Sequence, residues 1–154
     1  MTRRLFYAIA LTVAFIDQST KMLVSSRLRL GNSIPIIDGI VLIEPTRNPG
    51  GAFGIFQAYG GIITFLTAIA IIAILVASRR DIALPRIAWI ALALQLGGAV
   101  GNLIDRIRLG YVLDFINFQV WPVFNFADAA IVIGVVLLLC YVIFGEKFYA
   151  RSAS

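Results

Sequence analysis

Two long stretches without a charged side chain limit what this chain can fold into. Residues 60–78 and 87–104 contain no acidic or basic residue, and each is about as long as the roughly 18 residues that a membrane-spanning helix needs. Over the whole chain, 60% of the residues are hydrophobic and 14% are charged, whereas about a quarter of the residues of a soluble domain are charged. The sequence therefore predicts an integral membrane protein.

Two further apolar segments complete the predicted bundle. The first runs from Leu5 to Val24 and contains a polar patch near its end, and the last begins close to Phe126. We expect one domain with four transmembrane helices in a compact bundle. The predicted spans are 5–24, 60–78, 87–105 and 126–145, and the loops on the outer side are 25–59 and 106–124.

The two outer loops differ in composition. The first is punctuated by Gly and Pro, and between them lie the β-branched runs 34–37 and 40–43, which are typical of short strands. The second is rich in aromatic side chains, which are enriched at the headgroup level of a bilayer. The predicted fold class is thus all-α, a four-transmembrane-helix bundle with a small sheet outside the membrane.

Basic residues are spread along the chain rather than gathered in a stripe. The formal net charge is +5, but no nucleic-acid-binding module accompanies it, so nucleic acid is not an expected partner. Four spans place both termini on one side, and the positive-inside rule slightly favours cytoplasmic termini. That side would carry Arg3, Arg4, Arg79, Arg80, Arg86, Lys147 and Arg151, and the opposite side Arg27, Arg29, Arg47, Arg106 and Arg108.

Four aspartates lie at the ends of the apolar segments: Asp17, Asp105, Asp114 and Asp128. A carboxylate near hydrocarbon costs several kcal/mol unless it is paired, hydrated or used. Asp17 and Lys21 are four residues apart, so a salt bridge on one helix face would explain both.

A second polar group follows a helix-packing motif. Gly97 and Gly101 form a GxxxG pattern, which lets another helix approach closely, and Asn102, Asp105 and Arg106 come directly after it. These three residues either finish a helix with a surface ion pair or belong to a site on a neighbouring helix.

The remaining two aspartates also have alternative interpretations. Asn125 and Asp128 are spaced like a capping arrangement at the start of the last helix. Asp114 has no cation within four residues and lies in an aromatic, apolar run. It is either a water-facing loop aspartate or a carboxyl with a raised pKa, as acid–base catalysis requires.

All these polar groups are predicted to lie on one side of the bundle at similar depth. Two carboxylates within hydrogen-bond reach share a proton, so one can activate water while the other polarises a carbonyl. The chain has no histidine and a single cysteine, Cys140, which excludes a disulfide within the chain and a Cys/His zinc site. An aspartyl hydrolase is therefore the function that these residues favour.

Five blocks of this sequence carry a resemblance to a known family. They are DQSTK at 17–21, NPGGAF at 48–53, GGAVGNLIDR at 97–106, GYVLDFI at 110–116 and WPVFNFAD at 121–128. With these blocks in this order, the chain resembles the lipoprotein signal peptidases (signal peptidase II), which are membrane aspartyl proteases of bacteria.

The resemblance implies an activity and a site. Members of the family cleave the signal peptide from a prolipoprotein just before a cysteine that carries a diacylglyceryl group. The catalytic aspartates of the family fall on Asp114 and Asp128. Residues that shape the site or hold substrate fall on Asp17, Lys21, Asn48, Gly51, Asn102, Asp105, Arg106 and Asn125.

The resemblance also implies partners and a location. The family has an extracytoplasmic β-cradle, a site that opens to the outer face of the cytoplasmic membrane, and no metal or cofactor. Prolipoproteins and membrane lipids are the expected partners, and globomycin is the expected type of inhibitor. We expect a monomer. From the residues themselves, Asp128 is the more easily ionised aspartate because it begins a helix, and Asp114 the holder of the shared proton.

Two other functions remain open at this level. Intramembrane carboxylates also occur in ion- or proton-coupled transporters, although these typically show internal repeats and interrupted helices. A metal-dependent membrane enzyme acting on lipid would use the four aspartates as Mg²⁺ ligands, and sensitivity to a chelator would reveal it.

Overall fold

Four helices and three strands make up the part of the chain that the structure describes. It is a computed structural model in which residues 1–50, 60–80 and 82–151 are described. The elements are α1 (Arg3–Arg27), β1 (Ile34–Ile37), β2 (Val41–Asn48), α2 (Gly60–Arg79), α3 (Arg86–Leu109), β3 (Val112–Asn117) and α4 (Phe126–Arg151).

Three of these helices are long and apolar enough to cross a membrane, judged by length and composition. They are α2 over Gly61–Arg79, α3 over its whole length and α4 over Phe126–Gly145. Helix α1 has 25 residues, which at about 1.5 Å per residue is long enough to span a bilayer. It is not among the three because polar residues, including Asp17 and Lys21, fill its second half.

Helix α3 is the centre of the bundle because small residues let its neighbours approach. A Cβ on Gly97 would lie 2.5 Å from the Ala10 carbonyl oxygen of α1, and one on Gly98 would collide with the Ala127 carbonyl oxygen of α4. Close packing therefore brings the polar residues of α1 and the first turn of α4 against the same part of α3. The buried apolar cluster contains Phe6, Ala10, Ile71, Ala93, Leu96 and Ala99.

The three strands form one antiparallel sheet in the order β1-β2-β3. The first two are the hairpin expected in the first loop. Strand β3 lies in the second loop, for which the sequence had indicated an aromatic belt and no strand had been predicted. Thr46 of β2 pairs with Asp114 of β3, so Asp114 lies in a strand rather than in a loop.

Helix α3 also extends further than expected. Gly110 adopts a left-handed conformation, with φ 78°, and its N–H donates to the Arg106 carbonyl oxygen at 3.1 Å. Glycine accepts this conformation without strain, which makes it a common residue just beyond a helix end. Arg106, predicted to begin the outer loop, consequently lies in the last turn of α3.

Candidate active site

Asp114 is buried and held by two amides. Its exposed fraction is 2%. Asn48 Nδ2 donates to Asp114 Oδ2 at 2.8 Å, and Asn125 Nδ2 donates to Asp114 Oδ1 at 2.6 Å. The interpretation of Asp114 as a water-facing loop aspartate is therefore wrong.

The surroundings of Asp114 favour its neutral form. Burial, followed by the negative charge of Asp128, raises the pKa of Asp114 to about 7, although the two amide hydrogen bonds and the charge of Lys21 act in the opposite direction. A carboxyl with such a pKa can hold a proton near neutral pH and act as a hydrogen-bond donor.

Asp128 lies in the first turn of α4, where it forms a reciprocal cap with Asn125. The Asp128 N–H donates to Asn125 Oδ1 at 2.9 Å, and the Asn125 N–H donates to Asp128 Oδ2 at 3.3 Å. Asn102 Nδ2 on α3 donates to the other oxygen, Asp128 Oδ1, at 2.8 Å. The capping interpretation is thus correct, and it accounts for part of the contacts of both residues.

Asn125 links the two aspartates. It has no exposed surface, and while its backbone and Oδ1 cap α4, its Nδ2 donates to Asp114. The same Nδ2 lies 3.2 Å from Asn102 Oδ1. The cap uses only the backbone and Oδ1 of Asn125 and does not involve Nδ2. Through Nδ2, Asn125 connects the start of α4 to Asp114 on β3 and to Asn102 on α3.

Next to Asn102 lies a buried ionic cluster centred on Lys21. Its Nζ is 2.8 Å from both Asp17 Oδ2 and Asp105 Oδ2, and it donates to Asn102 Oδ1 at 3.1 Å. The predicted Asp17–Lys21 pair is therefore present, and Asp105 pairs with Lys21 in place of the expected partner Arg106. Lys21 thereby fixes the side chain of Asn102, whose amide contacts Asp128.

The two aspartates of the cluster, Asp17 and Asp105, also accept hydrogen bonds from backbone N–H groups. Asp17 Oδ1 accepts from the N–H of Ala127 at 3.0 Å, and Asp105 Oδ2 accepts from the N–H of Leu113 at 3.1 Å. These contacts attach α1 to the first turn of α4, and α3 to β3. The residues on either side of Ala127 and Leu113 include Asp128 and Asp114, so the cluster sets the positions of both.

Gln18 was not among the predicted site residues, yet it belongs to the cluster. Its Nε2 donates to Asp105 Oδ1 at 2.9 Å, to the Gly101 carbonyl oxygen at 3.1 Å and to Asp17 Oδ2 at 3.2 Å. The signal that could have identified it is an amide side chain inside an apolar span, directly after Asp17.

A cavity of about 520 Å³ opens beside the aspartates. Its polar part is formed by Asn48, Asn102, Arg106 and Asp128, and the rest of its wall is mainly apolar. The apolar lining residues include Trp121, Pro122, Val123, Phe124, Ile131, Val132 and Ile133. Val132 and Ile133 are more than half exposed on the outer surface of the bundle, so the cavity connects Asp128 with exposed apolar side chains of α4.

The structure brings most of the predicted site residues together. One network of hydrogen bonds and ion pairs joins Asp17, Lys21, Asn48, Asn102, Asp105, Asp114, Asn125 and Asp128. Arg106 lines the cavity. Gly51 lies outside the described residues.

Known proteins similar to this chain include curated relatives and a solved structure. The family model described as Signal peptidase (SPase) II matches residues 9–144. The chain is 38% identical over 147 residues to a lipoprotein signal peptidase of Halalkalibacterium halodurans, with 93% of this chain and 94% of the relative covered. It is 41% identical over 143 residues to a lipoprotein signal peptidase of Geobacillus kaustophilus, with 90% and 93% covered. A solved structure of a bacterial membrane enzyme at 2.3 Å resolution matches with a TM-score of 0.84 and 31% identity, covering 92% of this chain and 88% of that one.

Proposed function

Since the chain belongs to the signal peptidase II family, we propose that it is an aspartyl peptidase with Asp114 and Asp128 as its catalytic pair. The family makes it a bacterial membrane protease that removes signal peptides from lipoproteins. The observation that carries the proposal is the position of Asn125, whose amide donates to Asp114 at 2.6 Å while its backbone and carbonyl cap the turn containing Asp128. One residue thus hydrogen-bonds to both carboxylates, and one of the two, Asp128, lines the cavity.

The proposed reaction divides two tasks between the carboxyls. Ionised Asp128 accepts a proton from a water molecule, whose oxygen then attacks the carbonyl carbon of the scissile peptide bond. Protonated Asp114 donates a hydrogen bond to the carbonyl oxygen as negative charge develops there. When the tetrahedral intermediate breaks down, the C–N bond cleaves and the amine takes up the proton held by Asp128.

The surroundings of the two groups support this division. Asp128 lies in the first turn of α4, where the helix dipole and an N–H donor favour an anion, and the Asn102 amide donates to it as well. Asp114 is on strand β3 rather than in the first turn of a helix, and burial raises its pKa to about 7. Water activation therefore falls to Asp128 and carbonyl polarisation to Asp114.

The substrate that fits is a prolipoprotein whose cysteine carries a diacylglyceryl group. The cavity beside Asp128 has an apolar wall that reaches the exposed residues Val132 and Ile133. Acyl chains can remain in the bilayer against this wall while the peptide bond reaches the carboxylates, so that lipid binding helps to position the reacting atoms. Membrane lipids are accordingly part of the environment in which the substrate is presented.

We further propose that α1 is a fourth span, with both termini in the cytoplasm and the site towards the outer face. Its apolar side chains Leu11, Phe15 and Met22 are each more than 60% exposed, while Asp17 and Lys21 are buried inside the bundle. A helix arranged this way presents hydrocarbon to lipid and keeps its charges among protein partners.

Cleavage of a purified prolipoprotein tests the proposal directly. We expect the protein in detergent to cut a diacylglyceryl-modified prolipoprotein, to leave the unmodified precursor largely intact, and to keep its activity in EDTA. A globomycin-type peptide is expected to inhibit it. No cleavage of the modified substrate would reject the proposed function, and loss of activity in EDTA would favour the carboxylates as metal ligands.

The pH dependence of cleavage tests the proton on Asp114. Because the pKa of Asp114 is raised to about 7, this carboxyl is protonated below that pH and loses its proton above it. We expect kcat/KM to fall about tenfold per unit as the pH rises beyond the pKa of the essential acid. Initial rates between pH 5 and pH 9 measure it, and a rate that stays constant up to pH 9 would contradict the assignment.

A further inference from the structure

A second cavity adjoins the candidate active site at Asp128. It measures about 290 Å³ and shares Asn102, Arg106, Asp128 and Ile131 with the first cavity. Residues of α2 form its opposite wall, so we call it the α2–α4 groove; α3 is its floor. Its remaining lining residues are Thr67, Ala70, Ile74, Gln95 and Ala99.

Gln95 stands out among the residues that line the α2–α4 groove. Its stem packs on α4, where a Cβ on Gly134 would lie 2.8 Å from Gln95 Cγ. Its Nε2 is buried and has no hydrogen-bond partner within the described residues, although the side chain as a whole is partly exposed. A buried amide without a partner costs about 1–3 kcal/mol.

The position of Gln95 relates it to the aspartates. It precedes Asn102 by seven residues on α3, which places it roughly 10 Å deeper along the helix axis. A peptide chain extended over that distance contains about three residues. The groove is therefore lined at one point by Asp128 and, about three peptide units away, by the side chain that carries the unpaired amide, Gln95.

We propose that Gln95 Nε2 binds a backbone carbonyl oxygen of the signal peptide, about three residues before the scissile bond. This inference rests on the proposed function. A signal peptide must unwind near the cleavage site to present its peptide bond to two carboxyls, and unwinding frees carbonyl groups at membrane depth. Each such group needs a donor, because hydrocarbon offers none. Gln95 is the buried side-chain donor in the described part of the chain that still has this capacity.

An ester carbonyl of the diacylglyceryl group has the same acceptor chemistry but fits the position less well. The glyceryl esters are attached to the cysteine that follows the scissile bond, close to the headgroup level. Gln95 lies about two helical turns deeper in the membrane than Asn102. This is the depth at which the signal peptide, rather than the glyceryl group, is expected. The acyl methylenes beyond the esters accept no hydrogen bond at all.

The substitution Gln95→Leu tests the proposal with two readouts. Loss of one neutral hydrogen bond to substrate is expected to lower kcat/KM about 3–10-fold. The thermal unfolding temperature is expected to stay the same or rise, because the variant no longer buries an unpaired amide. Thr12→Val, a polar-to-apolar change at an exposed position of α1, is the control and should leave both quantities unchanged.

Modified substrates identify the acceptor. Four substrates are compared, each with a thioamide in place of one of the four peptide carbonyls before the cysteine. The thioamide at one of these positions should lower the cleavage rate of the wild type and leave the rate of Gln95→Leu unchanged. A substrate with ether-linked chains, which lacks ester carbonyls, should retain the difference between the two enzymes.

Four outcomes would overturn the assignment to the signal peptide. Equal cleavage by wild type and Gln95→Leu would show that Gln95 does not bind the substrate. A lower unfolding temperature of the variant would show that Gln95 stabilises the fold instead. Disappearance of the difference with the ether-linked substrate would identify a lipid ester as the acceptor. If the wild type cuts no prolipoprotein at all, the proposed function is rejected, and the inference that rests on it is rejected as well.

Discussion

The Asp114→Asn variant is expected to lose cleavage by a factor of about 10²–10⁴ in kcat/KM, the range typical for removal of a general acid or base. An amide still has N–H groups, but it is a much weaker acid than the carboxyl and stabilises the negative charge on the carbonyl oxygen less. Asp128→Asn should lose activity on the same scale, because an amide cannot accept a proton from water. Cleavage of the modified prolipoprotein, measured under single-turnover conditions, gives the comparison.

Stability measurements separate this loss from misfolding. Because the folded pKa of Asp114, about 7, exceeds that of an ordinary carboxyl, its ionisation destabilises the folded state. The folded protein thus loses stability as the pH rises from about 4 to 7, and Asp114→Asn should be at least as stable as the wild type at pH 8. Asp38→Asn, in the exposed turn between β1 and β2, is the matched control. A folded Asp114→Asn variant that cuts at the wild-type rate would show that the pair is misassigned.

Lys21→Met is expected to have the largest effect on stability. The change leaves Asp17 and Asp105, whose exposed fractions are 0% and 3%, without the ammonium group that lies 2.8 Å from each. Removing one partner of a buried ion pair costs about 3–5 kcal/mol, which for a chain of this size corresponds to a fall of roughly 6–20 °C in Tm. Thermal unfolding in detergent measures it.

Two further variants define the origin of that effect. Arg27→Met removes an exposed charge from the end of the same helix and should change Tm little. The double variant Lys21→Met/Asp105→Asn should be less destabilised than the sum of the single changes, because it leaves one uncompensated carboxylate instead of two. A Tm of Lys21→Met within about 2 °C of the wild type would mean that the cluster contributes little to stability.

The two substitutions also separate two parts of the site. Asp114 contacts Asn48 and Asn125 and is expected to govern the reaction. Lys21 instead holds Asn102, which in turn donates to Asp128. Weakening the ionic cluster should therefore reduce activity through the position of Asn102. The amides of Asn102 and Asn125 thus position the two aspartates, and the buried charge of Lys21 positions Asn102.

Several features of the site could be predicted from the sequence because they depend on spacing within one helix. The four-residue interval fixes the Asp17–Lys21 pair, and the three-residue interval fixes the cap between Asn125 and Asp128. The GxxxG motif indicated close approach, and Gly97 does contact α1. Such contacts follow from helix geometry alone.

Other features could not be predicted because they join segments that are distant in the chain. Nothing near Asp114 indicates that Asn48, 66 residues away, donates to it. Strand β3 was missed because its pairing partner β2 precedes it by a whole pair of helices, and the aromatic composition of the segment also suits an interfacial loop. Strand pairing of this kind depends on long-range context more than on local preference.

The sequence by itself determined the class of the protein, its apolar segments and most of the residues that the structure joins in the candidate site, because hydropathy and motif spacing are properties of the chain. Only the tertiary structure decided how those residues are connected. Close packing at α3 brings Lys21 between Asp17 and Asp105, places the Asn125 amide on Asp114 and leaves Gln95 Nε2 without a partner in the described chain. Each of these contacts depends on distances between side chains of different elements, which packing fixes and which no local pattern records.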